Sequence, residues 1–165
     1  MNIQSYGQSK AGIQLIHTER WWSAEKEFEK GTTDEDKFYL GYSQARKGDI
    51  EKAKATFNAI ASKPFGKIGL GMLEMNAGNL AGAKALFEGA NNEMKDKNNE
   101  LHVAISRAIS GSNANSKESA IEWAKKAVDK QNRNVDYRIV YGEAFLGTQD
   151  GGSAITQYEY AQQFD

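Results

Sequence analysis

Leu40-Gly41-Tyr42-Ser43-Gln44-Ala45-Arg46-Lys47-Gly48-Asp49-Ile50-Glu51-Lys52-Ala53-Lys54-Ala55-Thr56-Phe57 decides the fold. A small residue, Gly41, is followed by Ala53 at a spacing of 12, and Phe57 comes one helical turn after that. Between them lies Lys47-Gly48-Asp49. Glycine ends a helix without steric cost, and aspartate caps the next one. The stretch predicts two helices folded back on each other, with small side chains where they come closest.

The unit recurs along the chain. Gly12 and Ala24, Gly71 and Ala83, and Gly142 and Ala154 keep the spacing of 12, while Ser106 and Ala120 are 14 apart. Phe28, Phe87 and Tyr158 stand where Phe57 stands; in the fourth unit the place falls to Ala124, with Trp123 beside it to compensate. Successive alanines lie 29, 30, 37 and 34 residues apart. A period in this range marks stacked helical hairpins rather than one wound core. Ala77-Gly78-Asn79 and Gln149-Asp150-Gly151-Gly152 repeat the turn chemistry, and Gly111–Ser116 lengthens it in the fourth unit. Helices are expected at about 4–18, 21–31, 34–47, 50–62, 65–77, 80–94, 99–110, 117–130, 134–147 and 152–164. No segment alternates apolar and polar residues over a useful length, so strands are not expected.

Leu40-Gly41 with Ala53 and Phe57, and Leu70-Gly71 with Ala83 and Phe87, resemble the tetratricopeptide repeat, whose signature runs W-x2-L-G-x2-Y, then A-x3-F, then P. The resemblance covers the chain from about Ser5 to Asp165. It lacks the tryptophan before Leu-Gly, and Pro64 is the only proline near a repeat end. A Sel1-type hairpin family is the alternative, though its repeats are longer. The resemblance implies an all-α, right-handed superhelical solenoid of about five antiparallel helix pairs. The expected organisation is one array over residues 1–165, with repeats at about 5–33, 34–63, 64–97, 98–133 and 134–165, and a piece of a longer protein.

Function is also implied by the resemblance: such arrays hold peptides or protein segments along a concave face lined by each first helix. Threading the register onto that face gives Ile13 and Ile16, then Phe38, Tyr42 and Arg46, then Ile68, Met72 and Met75, then Arg107. Tyr6 belongs to the same stripe. The expectation is a partly apolar groove for a protein or peptide, since flexible Met side chains adapt to varied shapes. The plainer alternative is that the stripe packs between neighbouring first helices. Ser9, Ile13, Tyr39, Phe65 and Gly69 occupy the places where family members carry Lys, Arg and Asn to grip a terminal carboxylate, so that activity is not carried over. The last helix carries Ile155, Tyr158, Ala161 and Phe164, and is expected to self-associate through a bare face. A spacer or self-assembly module, or an accessory domain of a larger enzyme, are the other functional readings.

No motif supplies catalysis, and no cofactor or metal is expected. Gly66, Gly69 and Gly71 spell a glycine pattern inside a helix, without the preceding strand that a phosphate cradle needs. Asp96, Asn98 and Glu100 alternate like calcium ligands but lack the turn glycine and the distal glutamate. His17 and His102 stand in different repeats. Glu25, Glu27 and Glu29 interleave with Lys26 and Lys30, as on a solvated face. Trp21 and Trp22 are expected in the core or as a staple.

Composition bounds the rest. The chain of 165 residues has 21 Lys and Arg against 22 Asp and Glu, so no basic footprint for nucleic acid exists. There is no cysteine, which removes disulfides and thiolate chemistry. Mean hydropathy is −0.68, and no apolar run approaches a membrane span. The compartment is open, with a lean to a bacterial envelope or periplasm and the cytoplasm as alternative.

Overall fold

Side-chain caps set where the helices begin. The computed structural model describes residues 9–165. Among them are ten helices and no strand: α1 (Lys10–His17), α2 (Trp21–Phe28), α3 (Asp34–Arg46), α4 (Ile50–Asn58), α5 (Pro64–Asn76), α6 (Leu80–Glu93), α7 (Asn99–Ser110), α8 (Ser119–Lys130), α9 (Val135–Gly147) and α10 (Gly151–Gln162). Ser9 accepts a hydrogen bond from the Gly12 amide at the head of α1, and residues 4–8 of the expected first helix lie outside the described residues. Thr33 and Asp36 form a reciprocal capping box on α3. Asp49, Asn79, Asn98, Asn134 and Asp150 cap α4, α6, α7, α9 and α10. Each cap satisfies an amide that the helix itself leaves unpaired.

The turns follow the glycine logic with one substitution. Gly48 (φ 96°) and Gly78 (φ 82°) take the left-handed conformation that lets the chain reverse. Before α10 that conformation falls to Gln149 (φ 65°), while Gly151 and Gly152 enter the helix. The expected turn glycines there are helical, because Asp150 caps one residue earlier than the glycine pair suggests.

The chain forms two compact units, residues 1–70 and 71–165, divided inside α5. In the first, α1 pairs with α2 and α3 with α4; in the second, α7 pairs with α8 and α9 with α10. What holds each pair is a glycine facing an aromatic ring. A Cβ placed on Gly12 would lie 2.5 Å from Phe28, on Gly41 2.3 Å from Phe57, on Gly71 2.5 Å from Phe87 and on Gly142 2.5 Å from Tyr158. The small residue thus makes room for the ring of its own hairpin. The fourth repeat shows the converse: Ala124 removes the ring, Ser106 replaces glycine, and the Ser106 hydroxyl donates to the Ala120 carbonyl at 2.8 Å. Trp123 does not fill the vacated place. It lies beside His102, ring centroids 5.8 Å apart.

In the first unit the apolar side chains form an aromatic core. Phe38 stacks on Phe57 at 6.1 Å, and Phe28 on Tyr39 at 5.3 Å. Glu25 departs from the expected solvated face. It is buried among Lys47, Gln44 and Lys52. Burial pushes its carboxyl up, but hydrogen bonds from Lys47 and Gln44 together hold it below the usual range. Trp21 meets Tyr42 edge-on and carries the Arg46 guanidinium on its face at 4.9 Å. Trp22, expected in the core or as a staple, is 65% exposed.

Candidate interaction site

The stripe expected to line a groove is interior in this structure. Ile13, Ile16, Phe38, Tyr42, Ile68, Met72, Met75 and Arg107 are all buried, and only Arg46 retains partial exposure. Tyr6 lies outside the described residues. The reason is packing. Phe38 and Tyr42 contact the aromatic cluster of their own unit, with Phe38 also 6.3 Å from Phe65. Arg107 is held by Asp136 of the next repeat at 2.8 Å. An apolar helical stripe normally serves the core, and here it does.

The open concavity lies wholly within the second unit, and of the expected stripe only Met75 lines it. α2 packs broadly on α3 and α8 on α9, whereas α6 touches α7 only sparingly. The result is a cleft of about 630 Å³ between α6 and α8. Leu80, Ala83, Lys84, Phe87 and Glu88 form the α6 wall. Ser119, Glu122, Trp123 and Lys126 form the α8 wall. Both sets recur at helical spacing, so each wall is one stripe of its helix. Phe87 and Ala83 are buried at the floor, whereas Leu80 is 45% exposed at the lip.

Polar contacts bracket both ends of the cleft. At one end the Asn113 amide donates to Asn76 Oδ1 at 2.8 Å, tying the long α7–α8 turn to the end of α5. At the other end, Lys126 Nζ donates to both carboxylate oxygens of Asp96, at 3.1 and 3.2 Å. Asp96 also accepts from Asn91 Nδ2 at 3.0 Å and faces His102 Nε2 at 3.1 Å. Because Asn91 Nδ2 points at Asp96, its Oδ1 faces His102 Nε2, 2.8 Å away. Nε2 therefore carries the proton and donates to two acceptors. Lys95 (φ 53°) and Asp96 (φ 54°) are both left-handed, a costly backbone for non-glycine residues, and the Asp96 network holds them there.

The described residues form an all-α fold of antiparallel helix pairs. No protein-family model matches the chain, and no curated protein matches it. Among solved structures it is similar to MamA from Desulfovibrio magneticus RS-1, at 15% identity over 93% of this chain and 90% of that one, with a TM-score of 0.48. MamA MSR-1 matches at 15% identity over 94% and 92%, TM-score 0.48, and MamA AMB-1 at 14% over 94% and 88%, TM-score 0.47.

The chemistry-bearing side chains singled out in the sequence have structural work. Gly66, Gly69 and Gly71 lie against the Ile60 carbonyl, Phe57 and Phe87 respectively. Asp96 serves the network above, Asn98 caps α7, and Glu100 accepts from the Tyr137 hydroxyl at 2.6 Å. Among the described residues no three His, Cys, Asp or Glu side chains gather as metal ligands.

His102 makes the cleft end sensitive to pH. Burial holds its imidazole below the ordinary value of 6.5, against the pull of Asp96 and with the help of Lys126. The unfolded chain therefore binds the proton first as pH falls, so the contribution to stability is complete above 6.5 and declines below it. Urea unfolding should show a lower midpoint at about pH 5.5 than at about pH 7.5, and His102→Gln should flatten that difference. An unchanged pH slope in His102→Gln would remove His102 from the account.

Proposed function

We propose that this chain is a protein-interaction scaffold rather than an enzyme, and that it holds a segment of another protein in the α6–α8 cleft. The observation that carries the reading is the cleft itself, with an apolar floor at Phe87 and Ala83, an exposed leucine at the lip and a charged rim. An apolar concavity with a few placed polar groups is the usual form of a recognition site. Leu80→Glu places a charge at the lip of the cleft, on a side chain already facing water, and should leave the helical circular dichroism intact. Bait carrying it should lose a partner that the unaltered protein retains from its native cell. Retention of the same partner by the variant counts against this site.

A second reading, self-association, is favoured by α10. Ile155 is 59% exposed there, and Tyr160 and Phe164 also face solvent. Arg138 and Arg133 lie over these two rings, at 4.9 and 5.7 Å. Sedimentation at rising concentration should show a dimer that Ile155→Lys abolishes; identical behaviour of the two proteins rejects it.

A further inference from the structure

Resting on the scaffold reading, we infer that the α6–α8 cleft seats an amphipathic α-helix of about three turns from a partner protein, with a basic residue beside its apolar stripe to meet Glu122.

Length comes first. The α6 wall runs from Leu80 to Asn92, which is about 18 Å at 1.5 Å per residue. The lining ends at Asn92 on α6 and at Lys126 on α8, so the occupant is short. Both walls are helices that satisfy their own backbone groups. They offer an incoming chain no row of free amides and carbonyls. An extended segment would bury its backbone polar groups unpaired against Phe87 and Trp123. A helix has none to lose, and presents side chains at i, i+3, i+4 and i+7 to an apolar floor.

Charge sets the flank. Lys84 is engaged by Glu88 on its own wall, and Lys126 by Asp96. Glu122 is exposed on the α8 wall, with no ion-pair partner among the described residues. The Trp123 ring beside it in sequence already carries Lys126 Nζ, 5.8 Å from its centroid. The open Glu122 carboxylate favours a Lys or Arg on the partner.

The test uses the full chain and a panel of stapled twelve-residue helical peptides. Each carries one leucine stripe, and a single lysine is walked around the flank. The readout is the indole N–H signal of Trp123, assigned through Trp123→Phe. One register of the panel should shift that signal saturably. Glu122→Lys should weaken this peptide about tenfold, and a peptide with Glu in place of the lysine should recover it. The inference is overturned if no member of the panel moves the signal, or if a proline-broken, unstapled version binds as well. Absence of charge-swap recovery overturns it too, as does a shift of the signal on concentrating the protein alone, which would make a second copy the occupant. Should the panel fail while partner capture still depends on Leu80, the helix is wrong and the scaffold reading stands.

Discussion

Gly66→Ala should destabilise the first unit by about 3 kcal/mol, while Gly89→Ala should stabilise the second by about 0.5–1 kcal/mol. Both glycines sit inside helices, so propensity alone predicts the same gain at each. The surroundings reverse one sign. A Cβ on Gly66 would fall 1.8 Å from the Ile60 carbonyl oxygen and 2.4 Å from its carbon. That neighbour is backbone at the corner before α5, and cannot step aside as a flexible side chain can. At Gly89 nothing lies within 4 Å. Alanine there lowers the entropy of the unfolded chain and costs no contact. Thermal unfolding should separate the two, with Gly66→Ala falling on the order of 10 °C. Equal and small shifts at both positions would mean that α5 does not approach the α4–α5 corner as closely as described.

Asp136→Ala should cost about 3 kcal/mol of stability in the second unit. Arg107 is 1% exposed, and its guanidinium donates to Asp136 at 2.8 Å, from α7 to α9. Removing the carboxylate leaves a positive charge in the interior beside a methyl group. The guanidinium then loses the charged partner that offset much of its desolvation. Arg107→Met with Asp136→Leu should recover much of the loss, because an apolar pair of similar volume carries no charge to desolvate. Chemical denaturation of the single and double variants measures it. A loss below about 1 kcal/mol in Asp136→Ala would place the pair in a wetter setting than the structure shows.

Much of the fold was legible because its signals are local. Asp49 and Asn79 follow a turn and precede an apolar period, and each caps a helix where expected, with Asp150 one residue early. The small-residue and aromatic pairing was visible as spacing, but its meaning was not. The glycine meets the ring of its own hairpin, and in the fourth repeat, where Ala124 removes the ring, Ser106 meets the Ala120 carbonyl instead. Glu25 read as surface because its neighbours in sequence are charged; Gln44 and Lys47, which bury it, come from the next hairpin. The stripe of Phe38, Tyr42 and Met72 showed its spacing in the sequence, yet spacing cannot tell a groove from a core. The cleft left only faint traces: a longer α7–α8 turn, and an α6–α7 linker whose left-handed Lys95 and Asp96 are not glycines. How far apart two helices stand depends on those corners, and no local pattern records it.

Site-specific photo-crosslinking in the native cell tests the scaffold reading most directly. A photoreactive phenylalanine at position 80 or 122 lies at the α6–α8 cleft; one at position 54 lies on the exposed side of α4 in the other unit. The account predicts a discrete adduct with a second protein at 80 and 122, none at 54, and loss of the adduct when Trp123→Lys fills the cleft with charge. Adducts that form equally at 54, or that persist unchanged with Trp123→Lys, would contradict it.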